Sequence, residues 1–220
     1  PRPAGDALGD RALPEVLRAQ AFEGEITMQM TSPGMGSGKM IIVYSLKGDK
    51  ILQTADDPQV GKISVYTDAK AGKQTIVQEA QKQGTEIDQK MIDSLSMAMK
   101  MPTLVPKPTG KKEKVAGYDC EIYAIVLDTA NEMDLWLTKD LSKDITSAIR
   151  NCTEAGMKST GMKSDALLAM FTKGYSEIRM EVKQNGVTQM TNEFVKAEPK
   201  KLADAIFVIP ADIKVSKFDP

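Results

Sequence analysis

Apolar and polar positions alternate along most of this chain, with the period of two that marks strands covered on one face and exposed on the other. Between Phe22 and Thr31, Ile26, Met28 and Met30 fall on one side, and Thr27, Gln29 and Thr31 on the other. From Gly174 to Lys183, Ile178, Met180 and Val182 oppose Glu177, Arg179 and Glu181. Met133, Leu135 and Leu137 alternate against Glu132, Asp134, Trp136 and Thr138, after a strand running from Val115 to Asp128. The covered side is therefore expected to hold Ile26, Met28, Met30, Ile178, Met180 and Val182. Met40 to Leu46 is apolar at nearly every position, which predicts cover on both of its faces.

Turn residues divide these rows into hairpins. Lys47-Gly48-Asp49-Lys50 leads into Ile51-Leu52, Asp68 to Gly72 joins Lys62–Thr67 to Lys73–Glu79, and Asn185-Gly186 joins Gly174–Lys183 to Val187–Lys196. Ala205 to Ile209, ahead of Pro210, predicts a last strand. Helical spacing is confined to three stretches. Residues 86–99 place Ile87, Met91, Leu95 and Ala98 on one face, while 141–152 and 164–171 are shorter, the latter with Ser164 as its N-cap. The prolines of Met101 to Pro108 exclude an interior strand and predict an extended connector. The outline is a long antiparallel sheet with a few helices packed on one side, a mainly β (α+β) class.

Composition narrows the chemistry. The 220 residues carry 29 Lys and Arg against 30 Asp and Glu, a balance that gives no electrostatic footprint for nucleic acid. There is no histidine, which removes the commonest general base and most zinc and iron sites, so the chain is read as non-enzymatic and without a cofactor. No apolar run is long enough for a transmembrane helix. The start at Pro1 matches a processed or trimmed N-terminus, and residues 1–19 are assigned to a helical or partly disordered N-terminal segment before one domain at 20–220. Gly34 to Lys39 lacks phosphate-loop spacing and reads as a turn, and Asp56, Asp57 and Asp204 receive no role. Cys120 and Cys152, the only cysteines, are compatible with one disulfide or with two buried thiols. A bridge would stabilise by roughly 3–4 kcal/mol on the chain-entropy account.

Several motifs carry a resemblance. Phe22-Glu23-Gly24-Glu25-Ile26, Lys47-Gly48-Asp49-Lys50, Val65 to Lys70, Gly117-Tyr118-Asp119-Cys120, Trp136-Leu137-Thr138-Lys139-Asp140-Leu141 and Ile209 to Ile213 resemble a family of uncharacterised exported bacterial domains, similar in layout to the LolA/LolB lipoprotein carriers. The resemblance implies a strongly curved antiparallel sheet forming an unclosed barrel, with helices covering the concave face. It also implies a periplasmic or cell-envelope location, anchored through residues before Pro1. In that compartment it favours the Cys120–Cys152 disulfide. Gly117, Tyr118, Cys120 and Trp136 are read as structural.

Methionine is abundant, with 14 residues, including Met28 with Met30 and Met97, Met99 and Met101. Same-face strand neighbours lie about 7 Å apart, so these could converge on Cu(I) or Ag(I). The favoured reading is that Met lines adaptable apolar space, so that Ile26, Met28, Met30, Ile178, Met180 and Val182 would bind a lipid or acyl chain under the sheet. The alternatives are a methionine metal site and an interaction module with a filled cavity and an envelope protein as its partner.

Overall fold

The computed structural model describes residues 22–35, 38–88, 92, 103–162 and 164–217. Six strands form a first meander: β1 (Gly24–Thr31), β2 (Met40–Lys47), β3 (Lys50–Asp57), β4 (Gly61–Asp68), β5 (Lys73–Gln78) and β6 (Gln83–Asp88). A second follows as β7 (Lys107–Val115), β8 (Tyr118–Val126), β9 (Asn131–Thr138), β10 (Ser176–Gln184) and β11 (Val187–Pro199). Helices α1 (Lys143–Thr160) and α2 (Asp165–Thr172) are inserted between β9 and β10, and β12 (Lys214–Lys217) ends the described chain.

The two meanders become one sheet because β11 folds back along β1. The order is β12-β6-β5-β4-β3-β2-β1-β11-β10-β9-β8-β7, and the two outer strands do not pair. The result is the unclosed, curved antiparallel sheet that the resemblance implies. Every pairing is antiparallel except β12 with β6. Register shifts interrupt β1/β11, β9/β10, β10/β11 and β7/β8; each such bulge bends its strand and tightens its twist.

Register explains which side is covered. Ile26, Met28 and Met30 stand opposite Tyr44, Ile42 and Met40, and Leu46 and Ile42 in turn stand opposite Ile51 and Ala55. In the other meander Met180 and Val182 stand opposite Leu135 and Met133, which face Tyr123 and Ile125. Directly opposed residues share a face, so these rows make one apolar surface on which α1 and α2 pack. Both helices are capped as their sequences direct. Ser142 accepts from the Ile145 amide at 3.4 Å. Ser164 accepts from the Leu167 amide at 3.0 Å and donates to the Leu104 carbonyl at 2.6 Å, which pins the connector beneath α2.

Several expectations change. Ala205 to Ile209 is not a strand: Asp204–Phe207 is a 3-10 turn, and β12 lies further on. Ile87 belongs to β6 rather than to a helix; Ile92 is helical and buried, and the rest of the proposed 86–99 helix lies outside the described residues. The connector ends at Lys107, where β7 begins as an edge strand that tolerates Pro108. Met40 to Leu46 is not apolar-covered throughout, since Ile42 and Leu46 are buried but Ile41 is 45% exposed. Residues 1–19 also lie outside the described residues.

The Cys120–Cys152 bridge is the largest correction: both cysteines are free. Cys120 alternates in step with Ile122, which stands opposite Trp136, while Cys152 projects from α1 toward Leu135. Neighbouring residues of a strand point to opposite faces, so the sheet separates the two thiols.

Two turn and close-approach positions generate a stability test. At Gly24 a Cβ would stand 2.3 Å from the Glu198 carbonyl oxygen, because β1 and β11 approach closely there. Gly24→Ala should therefore destabilise by about 2–3 kcal/mol. Ala116 adopts φ 49° in the tight turn before Gly117, a conformation that suits asparagine better than alanine, so Ala116→Asn should stabilise by about 0.5–1 kcal/mol. Urea unfolding midpoints of the two variants should move in opposite directions from wild type.

Candidate functional site

The apolar face does not fill completely under the helices. A cavity of about 260 Å³ remains between β1, β2, β9, β10 and β11 below and α1 and α2 above. That volume stands near the lower end for small-molecule sites, ~300–1,000 Å³. Its floor includes Ile26, Met28, Leu135 and Met180, and its roof Ile149, Met157 and Leu167. A buried hydroxyl pair, Thr146 Oγ1 to Ser176 Oγ at 2.7 Å, fixes α1 over the start of β10.

Of the six residues read from the sequence as the lining, three line this cavity: Ile26, Met28 and Met180. Ile178 is 0% exposed and belongs to the packed core, while Met30 and Val182 pack against that core away from the lining. Met97, Met99 and Met101 lie outside the described residues. Met133, Met157 and Met162 join Met28 and Met180 around the cavity, so methionine does gather at one place, although Met157 lies on α1 and Met162 in the link to α2, where strand alternation could not associate them with Met28.

Polar groups interrupt this apolar lining. Glu177, Asn192 and Tyr44 all line the cavity. Alternation predicts that Glu177 points outward with Arg179 and Glu181, but a bulge between Glu177 and Arg179 reverses this. Glu177 stands opposite Leu137, Arg179 opposite Trp136, and the carboxyl is turned inward and left only 7% exposed. Burial pushes the Glu177 pKa up from 4.5 to about 7. Asn192, opposite Met180 and Met30, presents a buried Oδ1 with no hydrogen-bond partner. Burial raises the Tyr44 phenol, with the nearby Cys152 and Glu177 adding to the shift. The Cys152 thiol is pushed up to about 12 by burial, so it remains protonated and is a poor soft-metal ligand at neutral pH.

Other features are structural or solvated. On the opposite face Trp136 Nε1 donates to Glu113 Oε2 at 2.8 Å, and Arg179 stacks 5.4 Å from the Trp136 ring while bonding Glu193 at 2.7 Å. Thr138 Oγ1 donates to the Asp119 carbonyl at 2.9 Å. The motif residues Trp136 and Thr138 thus hold strands together. A second hollow of about 210 Å³ lies between α1 and the turns of β3 to β5, bordered by Glu154 and Lys158, which pair with each other at 2.8 Å. Among the described residues no three His, Cys, Asp or Glu side chains gather as a metal site.

Comparison with known proteins gives a family. The model described as "Domain of unknown function (DUF4412)" matches residues 22–213. No curated protein matches the sequence. Among solved structures the chain is similar to the Pseudomonas aeruginosa MucA/MucB complex, at 12% identity over 90% of this chain and 59% of that one, with a TM-score of 0.46. A second structure of MucB, with the periplasmic part of MucA, gives 12% identity, 89% and 57% coverage and a TM-score of 0.43. A LolA superfamily protein from Nitrosomonas europaea gives 9% identity, 87% and 91% coverage and a TM-score of 0.33. The chain therefore spans 59% of the MucB chain of the first structure.

The inward carboxyl makes a signed pH prediction. Below about 4.5 Glu177 is protonated in both folded and unfolded chains, and its contribution to stability is full. As pH rises toward about 7 the unfolded chain releases this proton while the folded one retains it, so stability falls, and the loss is complete above the folded value. Between about pH 5 and about pH 8 the wild type should lose on the order of 3 kcal/mol more than Glu177→Gln. Urea denaturation of both proteins across that range tests this, since carboxylates titrating elsewhere are common to the pair.

Proposed function

We propose that this chain, which belongs to the DUF4412 family, is a non-enzymatic cell-envelope protein that holds an apolar ligand, such as a lipid or acyl chain, between its curved sheet and α1. The observation that carries this reading is the cavity itself, walled by aliphatic and methionine side chains from β1, β9 and β10 and from both helices. Methionine has an unbranched, polarisable side chain that repacks around ligands of different shape, so this lining suits flexible chains. The envelope assignment draws on the resemblance in the sequence motifs. No described helix is long and apolar enough to cross a membrane.

The gathering of Met28, Met133, Met157, Met162 and Met180 around one space is the specific observation favouring a second reading, capture of Cu(I) or Ag(I). Apolar cargo is preferred because Ile26, Leu104, Leu135, Ile149 and Leu167 are interleaved with the thioethers and contribute nothing to a metal.

Displacement of a neutral apolar fluorophore from delipidated protein by n-alkanols of increasing length tests the proposal. Each added CH₂ should tighten binding by up to about fourfold until the cavity is full, corresponding to ~0.8 kcal/mol per group. Met28→Asp and Met180→Asp should weaken binding by at least about tenfold, whereas Met180→Leu should retain it within about threefold. Folded protein that binds no alkanol of any length overturns the reading, and tight Cu(I) binding by that same sample would install the metal alternative.

A further inference from the structure

We propose that the cavity contains a head-group subsite at Glu177, with Asn192 and Tyr44, that selects an apolar ligand ending in a primary ammonium. This rests on the apolar-ligand reading and adds the charge and hydrogen-bonding character of the ligand's polar end.

Three observations converge on it. Glu177 is 7% exposed and lines the cavity, and no ion pair among the described residues involves it. Asn192 Oδ1 is buried on that same cavity without a hydrogen-bond partner. Tyr44 brings a phenol oxygen from β2, close enough for the Glu177 charge to act on it. A buried acceptor without a donor is costly, and a buried carboxylate without a cation more so. Two such groups on one cavity form a site whose complement is absent among the described residues.

The chemistry of that complement follows from counting donors. The carboxylate, the amide oxygen and the phenol oxygen all accept, and an ammonium supplies three donors with no acceptor of its own. Its hydrogen bonds to the carboxylate are charge-assisted. A hydroxyl head offers one donor and no charge, and a carboxylate head meets Glu177 as a like charge. The titratable groups that line the cavity with Glu177 are Tyr44 on β2 and Cys152 on α1; both are acids whose only charged form is an anion, which burial disfavours, so neither can supply a cation.

The apolar tail occupies Met28, Leu135 and Met157, and the head lies where the β10 bulge turns Glu177 inward. Selection should therefore depend on pH. Raising pH ionises Glu177 and strengthens the preference for an ammonium, while lowering it returns the site to a neutral acid that discriminates little.

The test compares dodecylamine, dodecanol and dodecanoate, each below its aggregation threshold, as competitors of a neutral apolar fluorophore on the full chain. At about pH 8.5 wild type should bind dodecylamine at least about tenfold more tightly than dodecanol, and dodecanoate more weakly than either. At about pH 5.5 the advantage of the amine should shrink to about twofold or less. Glu177→Gln, which keeps the shape and removes the charge, should bind the amine and the alcohol within about twofold of each other at both pH values; Asn192→Leu should reduce the amine preference in part. Equal binding of amine and alcohol by wild type, or an amine preference that survives in Glu177→Gln, overturns the subsite and leaves the apolar-ligand reading standing. Failure of all three dodecyl compounds to bind overturns both.

Discussion

The pairing of β1 with β11 is the contact on which the rest of the molecule depends. It joins strands from opposite ends of the described chain, with Gly24 opposite Pro199 and Thr31 opposite Thr191, and so converts two meanders into one sheet. Without it Ile26 and Met28 would face no Asn192 or Met180, and the helices would have two half-floors in place of one. Contacts so distant in sequence repay their loop-closure cost only when much apolar surface is buried together, which is what the rows from β3 to β8 beneath α1 and α2 provide. Gly24 belongs to this seam: the missing side chain lets Glu198 and Pro199 approach.

Bulges give the sheet its curvature, and one of them also determines the character of the cavity. A strand with perfect alternation would place Glu177 beside Arg179 and Glu181 in solvent. The shift between Glu177 and Arg179 leaves two residues facing inward in succession, one of them Ile178, which fills the core, and the other a carboxyl whose titration burial moves up toward neutrality. An aliphatic residue there would make a drier and more stable core. The cost is thus concentrated at the wall of the apolar cavity, to which β10 contributes both Met180 and the inward carboxyl.

Much of the architecture was legible from local chemistry. The β1, β9 and β10 rows alternate as strands, Asn185-Gly186 turns a hairpin with both residues at positive φ, and Ser164 caps α2 as its sequence indicates. The missed elements lack that signal. Strand β7 is Lys-rich and exposed along nearly its whole length, and β6 is nearly as polar, so each is held by ladder hydrogen bonds to its neighbour rather than by a buried stripe. Ala205 to Ile209 is apolar enough for a strand but curls into a 3-10 turn at the sheet margin. Two cysteines, likewise, say nothing about which face each occupies; Cys120 needed a register and Cys152 a helix orientation before their separation followed. The candidate site was half visible: Ile26, Met28 and Met180 could be read from alternation, whereas Glu177 was hidden by a single-residue insertion and Met157 by lying across the cavity on another element.

An open sheet has two unpaired margins, and these bear on how the protein behaves in a crowded compartment. At one margin β7 carries Lys107, Pro108, Lys111, Lys112 and Lys114; at the other β12 is four residues long with a lysine at each end. Repelling charges, a proline without an amide hydrogen and a short strand all prevent a second chain from extending the ladder. The molecule can therefore leave its sheet unsealed without offering its margins as templates for fibrillar growth.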